Sequence, residues 1–285
     1  MAGRNWGPGA ERRRTSAANW ALPARWNKQA KRKGKRLRVF TASLSDWLDN
    51  AVPIEWLADL LQQVKENDAL DWLMLSKRIG IWRSRLSDCS EVASTEVGRA
   101  KWPGLGEWID AWLAGNAPAN VFLGATVVNQ TEADRDIPKL LQVPARVRFL
   151  SMEPLLGPVD LTSLKAQCAP WFPRDVRLNA LSGSCYGRMS EATPSPTRLD
   201  WVIVGGESGP GARPMHPDWV RSLRDQCQAA SVSFLFKQWG EYAPGTEGFA
   251  RNGDVVHEHG VWSVRVGKKA AGRLLDGVLH DAVPA

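Results

Sequence analysis

Six short apolar runs recur along the chain, at residues 37–42, 71–76, 121–126, 146–151, 201–204 and 233–236, and each stops at polar or charged residues. Helical spacing fills the intervals. Trp56, Leu57, Leu60, Leu61 and Val64 share one face behind Pro53, a helix is predicted over about 79–87, and further ones over 132–141 and from Pro217 to about 230. Strands that alternate with helices imply a parallel sheet, because a parallel pair needs a crossover. The expected fold is therefore α/β: a parallel βα-repeat in a partial or open TIM-like barrel.

The run at 201–204 leads into the most unusual stretch. Trp201 to Val204 reads as a strand buried on both faces. Gly205, Gly206, Glu207, Ser208, Gly209, Gly211 and Arg213 follow it. One or two glycines suffice for a turn, and four within seven residues exceed that need. The spacing is neither G-x-G-x-x-G nor a phosphate-cradling P-loop. Pro210 also stands where a nucleophile elbow would need its last glycine. A tight βα turn with no ligand is the plain alternative.

In a βα barrel the C-terminal strand ends converge on one mouth, where ligands bind. The polar strand ends then define a candidate ligand-binding mouth: Ser43, Asp46, Lys77, Arg78, Asn129, Gln130, Glu153, Gly205, Gly206, Glu207, Ser208, Arg213, Lys237 and Gln238. No catalytic residue is singled out among them.

Charge divides the chain. Residues 1–40 hold twelve Lys and Arg against one acid, Glu11, so the segment carries +11 and the remainder −4 of a total of +7. Trp6, Trp20 and Trp26 lie among these cations. Phosphate contact plus aromatic stacking suits single-stranded nucleic acid, so residues 1–38 are a candidate nucleic-acid surface, against the alternative of a solvated basic connector. Residues 1–36 show no strand. Residues 88–118 read as irregular or partly helical, 162–200 as an insertion or long loop, and 241–285 as a Gly-rich extension with a short hairpin near 253–266. The resulting division is a basic segment (1–36), a βα-repeat domain (37–240) and the extension.

Cys89, Cys168, Cys185 and Cys227 fit no zinc or cluster spacing, and His257 and His259 are a weak metal signal beside that of an exposed loop pair. No metal site is expected. With no apolar signal region and no run of about 18 apolar residues, a cytoplasmic protein with free thiols and no membrane contact is expected.

Phe40-Thr-Ala-Ser-Leu-Ser-Asp46, Leu75-Ser-Lys-Arg78, Phe149-Leu-Ser-Met-Glu-Pro-Leu-Leu-Gly-Pro158, Val202 to Met215, Phe236-Lys-Gln-Trp-Gly240 and Val266-Gly-Lys-Lys269 with Gly272 to Gly277 resemble the phage-type gp thirty-seven/gp sixty-eight family, of unknown function. That family resembles radical S-adenosylmethionine enzymes. The resemblance implies an N-terminal cysteine motif ahead of Trp6, a [4Fe–4S] cluster and S-adenosylmethionine in full-length relatives. This chain as written has no such motif, so no cofactor is expected in it. Either its start is truncated, with the motif and a first strand lost, or the motif is naturally absent. Gly205-Gly206-Glu207 matches a Gly-Gly-Glu element that holds the cofactor's amine in such enzymes, though it follows a late strand here. Glu207 reads equally as a structural partner of Arg213 or Lys237. Two functions remain: a radical S-adenosylmethionine-like barrel enzyme acting on an unknown small molecule or nucleic acid, or a non-enzymatic nucleic-acid-binding protein.

Overall fold

A computed structural model describes residues 11–41, 45–165, 176–187, 190–193, 197–245, 255–258 and 260–284. The core is a six-stranded α/β sheet: β1 (Leu37–Thr41), β2 (Leu70–Ser76), β3 (Val121–Thr126), β4 (Val147–Met152), β5 (Trp201–Gly205) and β6 (Ser233–Gln238). The spatial order follows the chain order, β1 to β6. Pairing is parallel from Leu37↔Leu70, from Phe149↔Trp201 and from Ser233↔Trp201. Every residue of β3, β4 and β5 is buried, as strands covered on both faces require, whereas the end strands β1 and β6 alternate.

The chain divides into two compact units, Met1–Phe122 with Pro144–Arg146, and Leu123–Val143 with Val147–Ala285. In the first, the basic segment is helical: α1 (Ala17–Trp20), capped by Ser16, leads to α2 (Leu22–Lys33). Pro23 sits in the first turn of α2, Lys31, Arg32 and Lys33 in its last, and Gly34 ends it in the left-handed region at φ 61°. Asn27, buried under the helix, accepts from the Ala69 N–H (2.9 Å) and pins α2 to the start of β2. The sequence shows no apolar periodicity strong enough to mark this helix, because most of its residues face water.

Residues 88–118 are more regular than expected. They complete α3 (Ile54–Glu66) and α4 (Trp82–Ser94) with α5 (Glu96–Lys101) and α6 (Leu105–Leu113). The tryptophans explain why: Trp112 is fully buried, with ring centroids 5.5 Å from Trp82 and 5.7 Å from Trp108 in edge-on contacts. The Trp112 indole N–H donates to the Pro144 carbonyl at 2.7 Å.

In the second unit, α7 (Gln130–Gln142) and α8 (Pro217–Ala229) follow β3 and β5. The stretch expected to be an insertion or loop contains short antiparallel strands, Leu164–Lys165, Arg177–Asn179, Ser184–Gly187 and Ser190–Thr193. The extension adds β7 (Tyr242–Gly245), β8 (Val255–Glu258) and β9 (Val261–Arg265) in one sheet, the short α9 (Lys268–Ala271), and the hairpin β10 (Leu274–Leu275) and β11 (Val278–Leu279). The expectation of four free thiols is corrected. Cys89 and Cys227 are free and buried, Cys185 is disulfide-bonded, and Cys168 lies outside the described residues. Among the described residues no helix is long and apolar enough to cross a membrane.

The β10–β11 turn places Asp276 (φ 51°) and Gly277 (φ 78°) in the left-handed region, as a two-residue hairpin turn demands. Asp276 holds this hairpin to α8, accepting from Arg221 (2.7 Å) and Arg224 (2.8 Å). Hydrogen bonds from Arg221 and then Arg224 lower its carboxyl to about 2. A lowered carboxyl stabilises the fold above its unfolded pKa of about 4 and loses that contribution as pH falls through its folded value. The melting temperature of Asp276→Asn is therefore expected to lie slightly below wild type at neutral pH, with the gap closing between about pH 4 and pH 2. Solvent screening keeps the gap under about 1 kcal/mol. A gap that widens in acid would contradict this assignment.

Candidate functional site

Among the strand-end residues of the second unit, Glu153 and Lys237 are brought together as a pair. β6 departs from regular register between Phe236 and Gln238, leaving Lys237 as the extra residue. A bulge re-aims a side chain, and Lys237 reaches past β5 to Glu153, at the end of β4. Its ammonium lies 3.0 Å from Glu153 Oε1 and donates to Oε2 at 3.1 Å. Ser151 Oγ donates to the same Oε2 at 3.0 Å. Oε1 is buried and faces the same ammonium in an ion-pair contact. Lys237 is half-exposed while Glu153 is largely covered.

Gly205 makes this crossing possible. A Cβ there would stand 2.6 Å from Glu153 Oε1, inside contact distance. Gly206 serves a different contact: its N–H donates to the Gln238 carbonyl at 2.9 Å, and a Cβ on it would run into the carbonyl oxygen of Trp239. These two glycines let backbone and carboxylate approach each other within the fold.

Glu207 is committed to Arg213. Its carboxylate accepts from the Arg213 guanidinium at 2.7 and 2.8 Å and from the Arg213 backbone N–H at 2.9 Å. Those guanidinium hydrogen bonds, opposed by burial and aided by the backbone N–H, hold the Glu207 carboxyl below its ordinary value. The loop is braced from the extension: Glu241 Oε1 accepts from the Gly209 N–H (3.0 Å) and Arg265 donates to the Gly209 carbonyl (3.1 Å). Gln238 donates to Ser208 Oγ at 3.2 Å. Asn129 caps α7 by accepting from the Glu132 N–H (3.0 Å), and Gln130 bonds Asp134 and both backbone groups of Asp160. Both have structural work that accounts for their polarity.

In the first unit Asp46 is the organiser. It accepts from Leu48 N–H (3.0 Å), Ser76 Oγ (2.7 Å) and Lys77 N–H (2.9 Å), and Arg78 stands 3.5 Å away. Arg78 also lies 3.8 Å from Asp49, which Arg12 holds at 2.8 Å. Burial pushes the Asp49 carboxyl up, but the Ala51 N–H, Arg12 and Arg78 outweigh it and the net shift is downward. The Lys77 ammonium has no partner among the described residues. Ser43 lies outside the described residues. Sequence reasoning passed over Ser151, Glu241 and Arg265. Ser151 alone carried a signal, two residues before Glu153 on the same strand face.

The described cysteines do not fit an iron–sulfur cluster. Burial pushes the Cys89 and Cys227 thiols up to about 12, away from the thiolate that iron needs, and Cys185 is already disulfide-bonded. Among the described residues no group of His, Cys, Asp and Glu could hold a metal ion. At Glu207, an incoming ammonium would have to displace the two-pronged Arg213 contact.

Sheet and strand-end pair together define a parallel α/β protein with a carboxylate–ammonium pair at the C-terminal ends of β4 and β6. The chain belongs to a family described as protein of unknown function, DUF5131, whose model matches residues 2–284. No curated protein and no solved structure matches it.

Proposed function

We propose that the chain is a TIM-like βα-repeat enzyme of radical S-adenosylmethionine-like architecture. In this reading it acts on a polar small molecule through Glu153 and Lys237. The observation that carries the reading is the Glu153–Lys237 pair at the strand ends where βα proteins bind ligands. The strand order supports the barrel-like part, since it runs in chain order without the reversal that marks a doubly wound sheet. The phage-type setting is part of the same reading and rests on the family resemblance.

The pair suits acid–base work. Glu153 is positioned to accept a proton from a bound group, and the Lys237 ammonium to donate one or to hold a developing negative charge. Ser151 orients the carboxylate. Gly205 lets the carboxylate lie against the strand backbone.

Isothermal titration of the folded chain with S-adenosylmethionine tests the reading. Saturable binding, weakened at least tenfold in both Glu153→Gln and Lys237→Met, is the expected result, since a hydrogen bond between a charged side chain and a ligand contributes about 1.5–3 kcal/mol. No binding by a folded wild-type chain would remove the S-adenosylmethionine-like part. Binding indifferent to both variants would remove the pair from the site.

A further inference from the structure

Of the twelve basic residues in 1–40, Arg4 lies outside the described residues and Arg13 stands 3.2 Å from Glu11, and the other ten fall into two sets. Arg12, Arg14, Lys31 and Arg36 are consumed by Asp49, Asp59, Asp68 and Asp71 at 2.6–2.8 Å. Trp20 is consumed too, with the Arg14 guanidinium 4.2 Å from its ring centre. The second set is Arg25, Lys28, Arg32, Lys33, Lys35 and Arg38, all exposed and all without an acidic partner among the described residues. A merely solvated helix face carries both signs, yet no Asp or Glu occurs between Glu11 and Asp46.

These six cations have an order. Arg25, Lys28 and Arg32 fall at i, i+3 and i+7 on α2, a stripe opposite the buried Asn27 and Ala30. Lys33, Gly34 and Lys35 carry the charge around the turn into β1, against which α2 packs and which ends the sheet. On β1, Arg38 and Phe40 are exposed two residues apart, hence on one strand face, with Phe40 42% exposed. An open sheet edge can pair with another strand, but Lys and Arg on the edge oppose that. The complementary partner is a polyanion that also offers a flat apolar face.

We infer that α2 and β1 bind single-stranded nucleic acid, the six cations contacting phosphates and Phe40 stacking on a base. This surface is separate from the Glu153–Lys237 pair and stands whether or not that pair is catalytic.

Fluorescence anisotropy of the full chain with labelled oligothymidylate, over a range of salt concentrations, tests the inference. The triple variant Lys28→Ala/Arg32→Ala/Lys35→Ala should bind more weakly and lower the magnitude of the log–log salt slope by about 2, near 0.7 per lost phosphate contact. Phe40→Ala should weaken binding roughly tenfold and leave the slope unchanged. All four side chains are exposed, so the variants should keep the wild-type melting temperature. The inference is overturned if the wild-type chain does not bind at low salt, or if the triple variant binds as wild type does. It is equally overturned by tighter binding to duplex that ignores Phe40, or by binding to phosphatidylserine vesicles in preference to the oligonucleotide.

Discussion

Trp112→Ala is expected to destabilise the first unit by about 3–5 kcal/mol, the range for deleting a large buried aromatic side chain. The side chain is fully buried between α4 and α6 and meets Trp82 and Trp108 edge-on. Its removal opens a cavity that two bulky indoles cannot collapse into without leaving their own rotamers. It also leaves the Pro144 carbonyl without the indole N–H that reaches it at 2.7 Å. Trp112→Phe separates the two contributions: it keeps most of the volume and loses the hydrogen bond, for roughly 1–2 kcal/mol. In thermal melts followed by circular dichroism the alanine variant should fall on the order of 10 °C below wild type. Equal losses in the two variants would mean that the hydrogen bond, and not the packing, dominates.

Gly206→Ala is the second large effect, expected at about 3 kcal/mol or more. The obstacle is backbone on both sides. The new methyl would enter the Trp239 carbonyl and come within 3.1 Å of the Gly240 nitrogen, and neither can swing aside as a long side chain could. Gly240 is constrained reciprocally, with φ 88° and its own missing Cβ facing Glu207. Relief would require parting β5 from the end of β6, where Gly206 N–H donates to Gln238 and Glu241 N–H to the Glu207 carbonyl, both at 2.9 Å. Gly211→Ala is the control. It sits at φ 76° with nothing within 4 Å, so it carries only the left-handed backbone cost of about 1–2 kcal/mol. Chemical denaturation that ranks Gly211→Ala as the more damaging change would show that steric crowding does not govern Gly206. Because Gly206 adjoins Gly205, its loss should also weaken any binding that depends on Glu153 and Lys237.

The strand-end site was legible in kind but not in wiring. Glu153, Glu207, Lys237 and Arg213 stand out as charged residues closing apolar runs, since a strand buried on both faces exposes polarity only where it ends. Glu207 was open between Arg213 and Lys237, and the contact distances assign it to Arg213 while Glu153 takes Lys237. Nothing in a linear reading could make that choice. Arg213 is six residues from its partner, whereas Lys237 is 84 residues from Glu153 and reaches it only through a bulge in β6. Asn129 and Gln130 carried the same polar signature as the charged pair, yet they cap a helix and tie down a loop, because helix starts after strands call for the same residue types as ligands do.

The helical basic segment shows the converse. Its charge was plain, but its division was not: the acids that neutralise Arg12, Arg14, Lys31 and Arg36 come from residues 49–71, which lie beside the segment only in the folded chain. The alternation of apolar runs and helical spacing by itself determined a parallel α/β architecture, because residue period and burial are local properties written every two or four residues. Tertiary structure alone decided which charges are spent and which remain free, since ion pairing depends on distance in space and its partners lie tens of residues apart in the chain.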